Sequence, residues 1–302
     1  MQSKAGLADN KPVCTMATAR PLEVDWTQDR NGLARALADL ASKAGKAVMD
    51  IYADGFKVED KADGSPLTEA DLAADAIIAQ GLADIAPSIP LLSEETAHGT
   101  SPDSLGDLFF VVDPLDGTRE FVDKTKDFSI NIALVQGGRP IVGIIYAPAR
   151  RKLWIAGEDA FTTKLEPGAS LDPKSLIAIA TKSPETKRLK AVASRSHRDG
   201  KTDEFLHALP GCETLAVGSA LKFCLVAEGE ADVYPRYGPT MVWDTAAGVA
   251  IVEAAGGEVL GEDGKPMKVH FGPDGWRNSA FTAWGCAKAR DHATARVKQS
   301  KS

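Results

Sequence analysis

Asp113-Pro114-Leu115-Asp116-Gly117-Thr118 follows the apolar run Leu108-Phe109-Phe110-Val111-Val112. An uninterrupted apolar stretch that stops at turn-forming residues predicts a buried strand ending at the two acids. An isolated carboxylate is very costly to bury. Two of them, three residues apart at such a strand end, therefore need compensation. A hard divalent cation provides it, and an all-oxygen ligand set suits Mg²⁺. Gly117 and Thr118 add backbone N–H groups and a hydroxyl, which suit a phosphate or a reacting water. The segment reads as a corner where a metal and a phosphate meet.

Upstream, residues 26–52 carry Leu33, Leu37, Leu40, Ala44, Val48 and Ile51 at steps of three and four, which predicts an amphipathic helix. A second helix is predicted over 69–85, with Leu72, Ala76, Ile78, Leu82 and Ile85 facing inward, ended by Pro87 and Pro90. Leu91-Leu92 then leads into Ser93-Glu94-Glu95. Downstream, 128–135 and 141–146 are strand-rich and flank Gln136-Gly137-Gly138-Arg139, which predicts a hairpin. Another strand is expected at 153–156. Residues 157–188 are rich in Pro, Ser, Thr and Lys, which makes them the best candidate for a boundary between lobes.

The second half alternates: strands at 189–193, 214–217 and 231–234, helices at 203–209, 219–228 and 245–255, then strands at 258–260 and 281–284. Ser219 is the expected N-cap of its helix. Alternation of this kind predicts an α/β lobe. The organisation expected is a flexible tail over 1–24, an N-terminal α+β lobe over 25–160 and a C-terminal α/β lobe over 161–302.

The chain has 302 residues and a formal net charge of −7, which argues against a broad nucleic-acid surface. Cys14, Cys212, Cys224 and Cys286 are scattered, without a Cys/His cluster, so they predict reduced thiols rather than zinc. No apolar run reaches the length of a membrane span, and the first residues lack the apolar core of a secretory signal. GxGxxG, HExxH, GxSxG, a P-loop and an EF-hand loop are all missing.

Acidic candidates are Glu94, Asp113, Asp116 and Asp244, each at the edge of an apolar segment. Asp244 follows Val242-Trp243 and opens a helix, where a carboxylate also serves as a cap. Glu95 competes with Glu94, and chemistry alone does not choose between them. Asp71 has two readings. With Thr68 it forms a capping box; alternatively it is a base for an attacking water. The polar and cationic set is Ser194, Arg195, His197, Ser219, Lys222 and Arg236. Lys222 lies three residues after Ser219, so both can face one ligand. Arg236, expected in a loop between a strand and the Asp244 helix, is either a solvated charge or a fork for a phosphate.

Taken together, Asp113-Pro114-Leu115-Asp116-Gly117-Thr118 and Trp243-Asp244-Thr245-Ala246-Ala247-Gly248, with Ser93-Glu94-Glu95 upstream, resemble the DPxDGT, WDxAAG and glutamate motifs of the inositol monophosphatase-like, lithium-sensitive Mg²⁺ phosphatases. The resemblance runs from about Trp26 to Trp284. Within that family, residues 218–229, 234–239 and Ser194-Arg195-Ser196-His197 are similar to the bacterial 3′(2′),5′-bisphosphate nucleotidases. Inositol monophosphatases generally carry an acid near the position of Arg236. A cation there fits a substrate with a second phosphate.

The resemblance implies a layered αβαβα sugar-phosphatase fold. It makes Glu94, Asp113, Asp116 and the Leu115 carbonyl ligands of a first metal region, with Asp244 completing a second site. Two or three Mg²⁺ ions are implied. Asp71 and Thr118 would position and activate the attacking water, and N–H groups around Gly117 and Thr118 would hold the scissile phosphate. Ser219, Lys222 and Arg236, with His197, would bind the nucleotide. The implied reaction is hydrolysis of adenosine 3′,5′-bisphosphate to AMP and phosphate, with 3′-phosphoadenylyl sulfate as a second substrate, in sulfur metabolism. No obligatory protein partner is implied. The implied location is cytoplasmic, with peripheral association at the inner membrane open. The alternatives are an inositol or sugar monophosphatase and an inactive metal- or nucleotide-binding homologue.

Overall fold

The computed structural model describes residues 24–60, 66–184, 188–194, 199–209 and 211–300. Helix α1 (Arg30–Asp54) is capped by Asp29, whose side chain accepts from Gly32 N at 2.8 Å. Strands β1 (Val58–Asp60) and β2 (Pro66–Thr68) form a small antiparallel pair leading into α2 (Glu69–Ile85). Then follow β3 (Leu91–Ser93), β4 (Leu108–Asp116), the short helix α3 (Thr118–Val122), β5 (Ser129–Gln136), β6 (Arg139–Ala147), β7 (Lys152–Ala156), β8 (Ala160–Lys164) and β9 (Ile177–Ala178). Strands β3 to β9 lie in sequence order in one seven-stranded sheet, in which only the β3–β4 pair is parallel.

The chain continues through β10 (Lys190–Ser194), α4 (Gly200–His207), β11 (Glu213–Val217), α5 (Leu221–Ala227), β12 (Val233–Arg236), α6 (Val242–Ala254), β13 (Glu258–Gly261), β14 (Phe281–Trp284) and α7 (Ala287–Ser300). The second sheet has the order β11-β10-β12-β14-β13. Its β10 pairs in parallel with β11 and β12, whereas β14 is antiparallel to both its neighbours.

Burial on both faces explains the continuous apolar runs. In β4, Phe110 and Val112 pack with Leu33, Leu37 and Val48 of α1 and Ile78 of α2. Phe109 and Val111 point the other way, into a cluster with Phe223 of α5, Ala246 and Val249 of α6, and Val192, Tyr234 and Phe281 from the inner face of the second sheet. The outer face of that sheet packs Ala191, Val233 and Trp284 against Leu206 of α4 and Ala289 and Ala293 of α7. The layers are therefore α1/α2, seven strands, α5/α6, five strands, α4/α7. This is the expected αβαβα arrangement.

Several local expectations change. The first sheet runs past residue 160 through β8 and β9, so the passage between sheets lies beyond Ala178. Ser219 is not a cap: α5 begins at Leu221 with Ala220 before it, and Ser219 stands at φ 54°. Arg236 ends a strand instead of lying in a loop. The pair β1–β2 and helix α7 were not expected. Cys212, Cys224 and Cys286 are free thiols. Among the described residues, no helix is long and apolar enough to cross a membrane.

Candidate metal centre and substrate cleft

In a regular strand, residues three apart point to opposite faces. Asp113 and Asp116 escape this rule. Asp113 pairs with Asn131 and Asp116 with Ser129, so three steps on β4 face two steps on β5. This one-residue bulge, which accommodates Pro114, turns both acids to the same side. Gly117 then adopts φ 87°, where glycine carries no steric penalty, and starts α3.

Asp244 arrives from the other side, at the third position of α6. Its Oδ2 accepts from Met241 N at 2.8 Å and holds the helix start. One carboxylate oxygen each from Asp113, Asp116 and Asp244 lies within 4.8 Å of the others. Glu94, at the end of β3, lines the same cleft, whereas Glu95 is not among its lining residues. The Leu115 carbonyl accepts from Thr118 Oγ1 at 3.2 Å, and Leu115 N donates to Asp113 Oδ1 at 3.1 Å.

Asp71 is a cap that also meets Thr118. Its Oδ2 accepts from Thr68 N at 2.8 Å and from the Thr68 hydroxyl at 2.6 Å, which completes the capping box on α2. Its Oδ1 accepts from Thr118 Oγ1 at 3.2 Å. The cap fixes the carboxylate against the Thr118 hydroxyl, and Thr118 lines the cleft.

Asp116 is tethered through a single oxygen. Its Oδ2 accepts from Ser219 Oγ at 2.6 Å, Ala220 N at 2.5 Å and Asn131 Nδ2 at 3.3 Å. Ser129 Oγ lies 2.6 Å from Ser219 Oγ and donates to Asn131 Oδ1 at 2.8 Å. Sequence reading missed Ser129 and Asn131. Their signal was two polar residues at i and i+2 within the apolar run 128–135, directly opposite the acids.

A cleft of about 270 Å³ joins this acidic end to a cationic one, where Lys222 and Arg236 line the wall. Lys222 is 5% exposed and donates to the Ser219 carbonyl. Burial pushes its ammonium down to about 8, opposed by the charge of Asp116 and reinforced by Arg236. Arg236 Nη2 donates to Pro239 O at 2.9 Å. Ser194, Gly117 and Thr118 also line the cleft. Of the expected candidates, Arg195 and His197 lie outside the described residues.

The donor set fits a hard divalent cation. The acids offer oxygen only, and without a cation they resist sharing the space. Burial first, then the charges of Asp116 and Glu94, push the Asp244 carboxyl up to about 8.

A five-layer αβαβα fold with clustered acids at the bulged end of β4, next to the edge strand of its first sheet, defines a class. A family model described as "Inositol monophosphatase family" matches residues 29–298, and the chain belongs to that family. Among named relatives, the 3′(2′),5′-bisphosphate nucleotidase CysQ of Shigella flexneri is 44% identical over 234 residues, covering 76% of this chain and 91% of the relative. That of Escherichia coli K12 is 43% identical over the same shares. The crystal structure of CysQ from Bacteroides thetaiotaomicron superposes with a TM-score of 0.72 at 37% identity, covering 84% of this chain and 97% of that one. An inositol monophosphatase from Thermotoga maritima, at 24% identity and a TM-score of 0.69, shares the fold.

Proposed function

We propose that the chain is a Mg²⁺-dependent 3′(2′),5′-bisphosphate nucleotidase. It removes the 3′-phosphate of adenosine 3′,5′-bisphosphate to give AMP and phosphate, with 3′-phosphoadenylyl sulfate as a second substrate. The observation that carries this reading is the two-ended cleft, with acids at one end and Lys222 and Arg236 at the other. An acidic end alone would serve any phosphate monoester. A buried cationic end suits a substrate with a second anionic group, which a carboxylate would repel. The relatives named above carry the same activity in their names.

In this reading Asp113, Asp116, Asp244, Glu94 and the Leu115 carbonyl would hold two or three Mg²⁺ ions. When bound, these ions lower the pKa of water and neutralise phosphate charge. The remaining roles belong to the chain itself. Water attacks phosphorus as the P–O3′ bond breaks; the water gives up a proton and the 3′ oxygen gains one. Thr118 and Asp71, joined by their hydrogen bond, are placed to take the water's proton. N–H groups at Gly117 and Thr118 hold the transferred phosphate. Lys222 and Arg236 hold the other phosphate, with Ser219 and His197 beside the nucleotide. Substrate is thus a small nucleotide and not a nucleic-acid polymer; the location in this reading is the cytoplasm, with peripheral association at the inner membrane open.

A phosphate-release panel with Mg²⁺ tests the reading. Adenosine 3′,5′-bisphosphate should be preferred strongly over inositol 1-phosphate and fructose 1,6-bisphosphate. Equal turnover of the nucleotide and inositol 1-phosphate would overturn it. Arg236→Ala should mainly raise KM for the bisphosphate, leaving kcat within a few-fold. Asp116→Asn should abolish nearly all Mg²⁺-dependent release, which separates an enzyme from a silent binding protein.

A further inference from the structure

Ser219 carries a conformation that its residue type does not favour. It stands at φ 54°, in the left-handed region where an L-residue meets a steric penalty that glycine avoids. A strained residue of this kind persists where its surroundings over-determine it, and the outlier points to a function. The surroundings here are specific. Ser219 Oγ donates to Asp116 Oδ2 at 2.6 Å, and the next backbone N–H, from Ala220, reaches the same oxygen at 2.5 Å. The left-handed kink aims both donors at one carboxylate oxygen. The Ser219 carbonyl accepts from the Lys222 ammonium. One residue therefore contacts the acidic end of the cleft through its side chain and the cationic end through its backbone.

Glycine would adopt this backbone freely but would lack the hydroxyl. The serine therefore makes sense if the Asp116 contact matters more than the backbone penalty. Asp116 is delivered by β4 of the first sheet, while Ser219 precedes α5 in the next layer. The contact fixes the carboxylate across that layer boundary. Oxygen Oδ2 is committed to the protein, which orients the group for ligation. Partners that orient a metal-ligating carboxylate act through it on the metal.

We infer that Ser219 is a positioning residue for the metal centre, whose hydroxyl locks Asp116 and sets the spacing between the metal ligands and Lys222. The inference rests on the reading of Asp116 as a metal ligand. It goes beyond the nucleotide contact proposed above, because its effect extends to substrates with a single phosphate and to Mg²⁺ binding without substrate.

Ser219→Gly is the informative variant: it removes the hydroxyl, keeps the carbonyl for Lys222 and relieves the backbone. Mg²⁺ binding is measured by calorimetry on the whole chain without substrate, alongside kcat and KM for adenosine bisphosphate and a nucleoside monophosphate. Expected are a roughly 10- to 100-fold weaker Mg²⁺ affinity, lower kcat for both substrates at limiting Mg²⁺, and a melting temperature in EDTA no lower than wild type. Ser219→Ala should weaken Mg²⁺ similarly. Unchanged Mg²⁺ affinity with a KM rise confined to the bisphosphate would overturn the role and leave Ser219 a substrate contact. Unchanged Mg²⁺ affinity with a lower melting temperature in EDTA would overturn it in favour of packing. Absence of Mg²⁺ binding by wild type would overturn the metal-centre reading itself, and this role with it.

Discussion

Asp71 and Asp244 share a construction. Each sits at the third position of its helix, and each gives one oxygen to the backbone N–H of its N-cap residue. The helix start thereby fixes each carboxylate, that of Asp244 in the cleft wall and that of Asp71 against the hydroxyl of Thr118, which itself lines the cleft. For Asp244 the position has a titration consequence. Without a cation, burial and then the charges of Asp116 and Glu94 hold it at about 8, against 3.8 for an ordinary aspartate. A folded group held above its unfolded value retains a proton that the unfolded chain has released. Its contribution to stability is therefore full below about pH 4 and is lost as pH rises toward 8. A divalent cation needs the ionised form and must displace that proton. Titrating Mg²⁺ into metal-free protein at pH 7 should release protons, seen as a slope of binding enthalpy against buffer ionisation enthalpy. Mg²⁺ should also bind more tightly at pH 8 than at pH 6. A zero slope would mean that Asp244 is already ionised.

Helix α6 explains the small residues in Trp243-Asp244-Thr245-Ala246-Ala247-Gly248. It lies between the two sheets, and Ala246 and Ala247 are 1% and 2% exposed. A β-carbon on Gly248 would sit 2.3 Å from the Phe223 ring of α5. Gly248→Ala must push α5 away, and α5 carries Lys222. Overpacking of this kind costs about 1–3 kcal/mol; thermal unfolding should show a lower melting temperature, accompanied by a KM rise for the bisphosphate. An unchanged melting temperature would show that the helices have room to separate. Such close approach was not legible in the sequence, although the extents of α2, β4 and the β5–β6 hairpin were; the inward face expected of α2 was wrong in part, because Leu72 and Ala76 are exposed while Ala70 and Ala74 are buried. Helix α7 escaped notice because Ala289 and Ala293 are its buried contacts among the residues described, too thin a stripe to signal a helix. The acids of β4 were legible as a pair, but their common face depends on a bulge for which Pro114 is the sequence hint. Ser219 was misread as a cap because serine favours caps; its left-handed backbone follows from the tertiary contact with Asp116. Arg236 was assigned to a loop because Pro235 and Gly238 flank it, yet β12 continues through it, pairing with β14.

The layers meet at the cleft. Glu94 follows β3, Asp113 and Asp116 end β4, Asp244 begins α6, Lys222 rides on α5 and Arg236 ends β12. No single layer contains the site, so it exists only when the first sheet, the middle helices and the second sheet are assembled. The middle helices and the inward faces of both sheets share one apolar cluster, which couples the lobes that the sequence suggested as separate units. A ligand that binds only the assembled form stabilises all of it, by about 2.7 kcal/mol at one hundred times its dissociation constant. Saturating Mg²⁺ should therefore raise the melting temperature of the whole molecule by a few degrees in a single transition, and EDTA should reverse the shift. Asp116→Asn should lose that shift while still melting cooperatively in EDTA, because the substitution touches the site and not the apolar cluster. Two separate transitions, with only one responding to Mg²⁺, would show instead that the lobes fold independently and that the ligands belong to one of them.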